Sequence, residues 1–216
     1  MCFSMKFSFL AAAGLGVMGA YTFKKSLGNK RLQPLAAIPI WFAIQQFFEG
    51  LVWVSFSLEP TFYSLRYLSA YCFLYFAFIF WPTYIPVAFL YAENSIRQLK
   101  PLYFLCILGA FVSLAGLVLL IRVPLLIGVF ECSINYSFEL MERFVSSKFY
   151  LMVYAIATIM PFFITSLVRS RMLGSGVLFG LLVSYFFWNY VLISVWCFFA
   201  ALVSFFVYFI VRDSSL

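Results

Sequence analysis

The sequence predicts an all-α polytopic membrane bundle, and three observations carry that prediction. Of 216 residues, 66% are hydrophobic, 23% aromatic and 10% charged, whereas charged residues make up about a quarter of a soluble domain. Apolar runs recur that reach about 20 residues, the length a helix needs to cross roughly 30 Å of hydrocarbon. These runs are continuously apolar, while the strands of a membrane barrel alternate apolar and polar positions over about ten residues. Residues 1–216 read as one transmembrane helical domain.

Cutting the runs at charged or turn-forming interruptions gives seven spans, at about residues 5–23, 35–57, 66–91, 101–121, 149–168, 173–189 and 191–211. The first is followed by "KKSLGNKR" instead of a small-residue cleavage motif, so it reads as a retained helix and not as a cleaved signal peptide. Cys2, preceded only by the initiator methionine, is no lipoprotein acceptor. The last two spans are divided only around Asn189 in "FFWNYVLISVW", which leaves a single broken helix as the competing reading.

The formal charge of +7 would suggest nucleic acid in a soluble protein, but here the basic residues cluster at the ends of apolar runs and act as topology signals. Lys24, Lys25, Lys30, Arg31, Arg97, Lys100, Arg169, Arg171 and Arg212 fall on one side. Lys6, Arg66, Arg122, Arg143 and Lys148 fall on the other, with Glu59, Glu131, Glu139 and Glu142. The positive-inside rule makes the first side the cytoplasm, with the N-terminus outside and the C-terminus inside.

The longest connection, residues 122–148, lies on the outer side. Ile134, Phe138 and Met141, with Glu131, Asn135, Glu139 and Glu142 interposed, read as an amphipathic helix in the interface or as a re-entrant lid. Asn135-Tyr136-Ser137 also fits a glycosylation acceptor, which would require a eukaryotic secretory pathway. Small residues at four-residue spacing, Ala12, Gly16 and Ala20 in the first span and Gly176, Gly180 and Ser184 in the sixth, predict close helix packing. Pro82, Pro86 and Pro161 should bend their helices and free backbone carbonyls.

The second span contains polar residues in an apolar setting. In "IWFAIQQFFEGLVWVSF", Gln45, Glu49 and Trp53 recur every four residues and Gln46 lies three before Glu49, so all four share one broad helix face. At 1.5 Å per residue, Glu49 lies about 21 Å from Leu35 and about 9 Å below the outer edge of the apolar layer. An ionisable residue at the centre of a span costs about 2.5 to 3.5 kcal/mol on insertion scales, so this carboxyl should face protein or water. The same ruler puts Cys72 and Cys197 at that depth, with Cys2 and Cys132 above it and Cys106 near the inner side.

Three readings compete for this layer. Glu49 can be a protonated group hydrogen-bonded to Gln45 or Gln46, clasping helices together. It can be the titratable group of a transport or sensing pocket, with the glutamines as ligands. The layer can also serve a thiol enzyme or redox partner using Cys2, Cys132, Cys72 or Cys197, for which two Cα atoms must come within about 7 Å. Buried cysteines in spans are otherwise small core residues.

Missing residue types narrow the field. Without histidine, bis-histidine haem, histidine-ligated zinc and a Ser-His relay are excluded, and no metal site or cofactor is implied. "LGSGV" at residues 173–177 has neither the glycine spacing nor the base of a rhomboid protease. Asp213 is the only aspartate, which rules out an aspartyl dyad, and no late span carries a lysine for retinal. No phosphate-binding loop is present.

"MCFSMKFSF" at the start, "AAIPIWFAIQQFFEGLVW" at residues 36–53 and "SVWCFFAALVS" at residues 194–204 together resemble an uncharacterised family of bacterial multi-pass membrane proteins. That family opens with Met-Cys-Phe-Ser, carries a Gln-Gln-x-x-Glu-Gly-x-x-Trp helix and ends in a Trp-Cys span. The resemblance marks Cys2, Phe3, Ser4, Gln45, Gln46, Glu49, Gly50, Trp53, Trp196 and Cys197, and it implies fold and membrane residence without an activity. Many such proteins carry histidine in an outer segment. "FECSINYSFE" here has none, which argues against a histidine-dependent role.

The functional expectation is transport or sensing of a small solute or cation through an outward-facing pocket of Gln45, Gln46, Glu49, Trp53, Cys72, Trp196 and Cys197, with Cys2, Ser4, Cys132 and Asn135 on its outer side. The thiol enzyme and a structural membrane subunit stand as alternatives. The expected surroundings are the lipid bilayer and a small solute or cation, and no nucleic acid.

Overall fold

A computed structural model describes residues 5–58, 62–130, 133–138 and 148–214. Five helical stretches are long and apolar enough to cross a membrane: Lys30–Ser57, Tyr63–Ala92, Ile96–Arg122, Ser170–Phe187 and Asn189–Asp213. Two more helices, α1 (Met5–Lys25) and the shorter α7 (Lys148–Ile164), lie where the sequence predicts spans. The protein is an all-α membrane protein with one small exception in its long connection.

Prolines and polar turns mark the helix breaks. After α1, the Asn29 side chain accepts a hydrogen bond from the Arg31 amide (3.1 Å) and opens a 3₁₀ turn. The short α2 (Gln33–Ala36) and α3 (Ile38–Ser57) each begin with a proline in the first turn, where the missing N–H costs nothing. α3 runs antiparallel to α1: Gly19 meets Ile40 while Gly50 meets Phe9, so residue numbers rise on one helix as they fall on the other.

The next span is a helix interrupted by a wide turn. α4 (Tyr63–Tyr75) passes through a π segment, Phe76–Phe80, into α5 (Trp81–Ala92), and the Trp81 amide bonds back five residues to the Phe76 carbonyl. Pro82 and Pro86 explain the interruption, because neither can donate to the turn before it. Their effect is felt in α6 (Ile96–Arg122). Gly109 lies so close to the Pro82 carbonyl that an added Cβ would sit 1.9 Å from it, and the Ser113 hydroxyl donates to the Ile79 carbonyl (2.7 Å).

The connection after α6 overturns the expected interfacial helix. Leu125–Phe130 (β1) and Ser133–Phe138 (β2) form an antiparallel hairpin, with Leu125 opposite Phe138 and Phe130 opposite Ser133. Ile134 and Phe138 are four apart, a spacing that both a helix and a strand satisfy. Tyr136 between them decides for the period of two, since Ile134, Tyr136 and Phe138 are all buried on one face while Asn135 and Ser137 alternate between them. Met141 lies outside the described residues.

Residues 170–213 form two helical stretches, Ser170–Phe187 and Asn189–Asp213, and not one broken helix. α8 (Ser170–Phe187) and α9 (Leu192–Ser204) are joined by a 3₁₀ turn at Asn189–Val191 and fold back on each other. Gly176 meets Val203 and Gly180 meets Phe199, as the small-residue spacing predicts for this pair. In α1 the tight contact is at Gly19; a Cβ added at Gly16 would meet only the Ala43 methyl, at 3.9 Å, and Ala20 is exposed. α10 (Val207–Ser214) completes the chain, and its Asp213 pairs with Arg169 (2.7 Å).

The bundle thus has two unlike ends. At one, Arg31 bonds Asn94, the Tyr84 hydroxyl donates to the Pro34 carbonyl (2.8 Å), and Glu93 joins the exit of α5 to the exit of α7. All nine basic residues assigned to one side by the sequence fall on helix ends and turns here. The other end carries the hairpin.

Candidate functional site: the polar layer beneath the hairpin

Glu49 lies eight residues before the end of α3, about 12 Å down the helix from the hairpin end. Its carboxyl is 2% exposed and accepts a hydrogen bond from the Ser194 hydroxyl of α9. Lipid does not see it. One turn earlier, both ends of the Gln45 amide are engaged: its Oε1 accepts from Trp81 Nε1 (2.7 Å) and its Nε2 reaches the Phe73 carbonyl (3.5 Å). Gln45 therefore ties α3 to the interrupted α4–α5 span.

Gln46 differs. It is fully buried beside Glu49, yet neither its Oε1 nor its Nε2 has a hydrogen-bond partner of normal geometry. Leaving a buried amide unpaired costs about 1 to 3 kcal/mol, so such groups stand out in a folded chain. The Cys197 thiol and the Tyr136 ring lie within electrostatic range of Glu49, which brings α9 and the hairpin to the same layer.

Above this layer opens a cavity of about 730 Å³. Asn135, Tyr136 and Ser137 of β2 form one side, Lys148, Tyr150 and Tyr154 of α7 another, and Tyr185, Asn189 and Tyr190 the corner between α8 and α9. Its floor is Ala77, Phe78, Trp196 and Cys197. The floor is braced where the π segment frees a carbonyl, for the Tyr154 hydroxyl donates to Ala77 O at 2.5 Å. A second chamber of about 50 Å³ lies on the far side, between Phe42, Trp81, Thr158 and Ser204. Tyr154, Trp196 and Cys197 line both and so form the partition.

The residues expected at the site divide into four groups. Gln45, Gln46, Glu49 and Cys197 meet in the buried layer, and Trp196 and Asn135 line the cavity above it. Trp53 is half-buried against the hydrophobic cluster around Val52 and Phe73 and lines neither chamber. Cys72 is half-buried on α4 and likewise lines neither. Depth along a span gives only the axial coordinate, and the buried face of α4 runs through Ser69, Ala70, Phe73 and Leu74. Cys2, Ser4 and Cys132 lie outside the described residues. Among the described residues Cys72, Cys106 and Cys197 are free thiols, and no group of acidic residues and cysteines could hold a metal ion.

A model of a family of unknown function, DUF6629, matches residues 1–216. The chain belongs to this family. Nothing significant matches among curated proteins or among solved structures. Membership agrees with the resemblance to an uncharacterised family and leaves the chemistry to be argued from the site.

Several residues of the site carry no signal in the sequence. Ser194 lies 145 positions from Glu49 and reads as one small residue in an apolar run. Trp81 and Tyr154 read as aromatic filler; only buried indole and phenol groups need a partner, and nothing local shows which ones are buried. Glu93, at the end of a span, looks like an ordinary solvated charge, but it is 4% exposed.

Proposed function

We propose that this chain is a seven-span protein of a bacterial inner membrane, N-terminus outside, that binds a small solute or cation in the cavity beneath the hairpin for transport or sensing. Glu49 is the titratable group, the Gln46 amide is its free ligand, and Trp196 is a wall. Gln45 holds the layer together and does not coordinate. The carrying observation is a buried carboxyl that accepts from Ser194, beside a buried Gln46 amide that faces it and makes no hydrogen bond of normal geometry. Intramembrane ionisable groups are expensive and are kept where they handle protons, ions or polar ligands. A clasp that only joins helices would leave no amide unpaired.

The test uses proteoliposomes of the full chain with radiolabelled sodium, radiolabelled rubidium and a trapped pH dye, together with melting temperatures in each cation. Wild type is expected to take up at least one probe above empty liposomes or to melt higher in its presence. Glu49→Gln should lose that response while keeping its melting temperature in buffer without sodium or rubidium. A wild type that neither moves nor responds to any probe, or a Glu49→Gln protein that behaves as wild type, overturns the reading.

A further inference from the structure

The chamber beneath the hairpin is walled by rings. Tyr136, Tyr150, Tyr154, Tyr185, Tyr190 and Trp196 line it, drawn from β2, from α7 and from both sides of the α8–α9 corner. At about 730 Å³ it is far too large for a bare ion and falls in the range of about 300 to 1,000 Å³ typical of small-molecule sites. Ring faces carry negative potential and attract organic cations, above all those whose charge is spread over methyl groups and cannot be satisfied by hydrogen bonds. Behind the floor lies Glu49, within electrostatic range of Tyr136 and Cys197. Lys148 is the one formal charge among the described lining residues, and it is exposed, so it marks the mouth.

We infer that this cavity binds a quaternary ammonium group in an aromatic box, with the anionic end of a zwitterion turned to Lys148. The inference rests on the proposed function above and names its ligand class. The ammonium group comes either from a soluble compound such as choline or betaine or from the headgroup of phosphatidylcholine.

The experiment has two arms, both with the full chain in nanodiscs. In the first, the lipids are phosphatidylethanolamine and phosphatidylglycerol, and choline is titrated with calorimetric readout. In the second, phosphatidylcholine replaces phosphatidylethanolamine and the melting temperature is read without choline. Binding in the first arm assigns the soluble source, a raised melting temperature in the second assigns the headgroup, and either supports the inference. Tyr185→Leu is expected to weaken choline binding roughly ten-fold or abolish the lipid shift, while Tyr185→Phe, which keeps the ring, retains both. No response in either arm overturns the inference. So does equal binding of the neutral tert-butyl isostere of choline, or a Tyr185→Leu protein that responds as wild type. Glu49→Gln separates the two readings: choline binding that survives this change leaves the aromatic box standing and removes the role given to Glu49. Sodium or rubidium flux that depends on Glu49, without any ammonium response, does the reverse.

Discussion

Glu93 and Glu49 are both buried carboxyls in a chain with few charges, and their surroundings are opposite. Glu93 stands at the basic end, just past the last turn of α5. Its Oε1 accepts from the Asn94 amide (3.0 Å), the Ser95 amide (2.8 Å) and the Ser166 hydroxyl, and its Oε2 from the Thr165 hydroxyl (2.8 Å) and the Ser166 amide (2.7 Å). Burial on its own would raise its pKa; the Ser166 hydroxyl, the Ser95 and Ser166 amides and the Thr165 hydroxyl outweigh that and hold it below the ordinary value. Glu49, inside the bundle, accepts from Ser194 and sits next to the Gln46 amide, which makes no hydrogen bond of normal geometry. A carboxylate whose lone pairs are filled by protein donors is a rivet. One that retains capacity beneath a cavity is the group to which the proposed function assigns the ligand.

The largest test of this contrast is Glu93→Ala. Removing the acceptor strands the Thr165 and Ser166 donors at a helix junction, and we expect a loss of about 3 kcal/mol or more in thermal or denaturant unfolding. A loss below about 1 kcal/mol would erase the distinction between the two acids.

Acid should expose the same rivet. A carboxyl whose folded pKa is lowered contributes stability that is present above the ordinary value of 4.5 and fades as pH falls through the lowered folded value. Melting temperatures of wild type are therefore expected to drop as pH falls below about 4.5, and Glu93→Gln should flatten that part of the curve. An unchanged curve in the variant would locate the acid sensitivity elsewhere.

Trp81→Phe comes next in size. It keeps an aromatic ring but removes the donor to Gln45 and leaves a small void, at a cost of about 1 to 2 kcal/mol. Gln46→Leu should run the other way, because it deletes a buried amide that makes no hydrogen bond of normal geometry; stability is expected to rise by about 1 kcal/mol while any Glu49-dependent response is lost. A fall in stability as large as that of Trp81→Phe would show that Gln46 clasps helices as Gln45 does.

Much of this molecule can be read along the chain. The helix boundaries follow from apolar run length and from proline and charge at the breaks, because a helix in lipid satisfies its own backbone and needs no partner to exist. The face shared by Gln45, Gln46 and Glu49 is a local consequence of helical spacing, and the cost of a carboxyl in hydrocarbon argues that it points inward. The hairpin was illegible for a specific reason: Ile134 and Phe138 fit either period, and the burial of Tyr136 is a tertiary fact.

Rotation and pairing were decided only by the tertiary structure. Cys72 shares a predicted depth with Cys197, yet only Cys197 reaches the layer, since an azimuth of a few tens of degrees separates a lining residue from a flanking one. Nor does anything local distinguish Gln45, bonded to Trp81 and Phe73, from Gln46, bonded to neither. The sequence by itself determined a membrane-embedded helical chain with a sheltered acid, because hydrophobic length and the cost of burying charge are properties of single segments. Which donors fill each acid, and where space is left over, depends on how segments far apart in the chain pack, and no single segment contains that information.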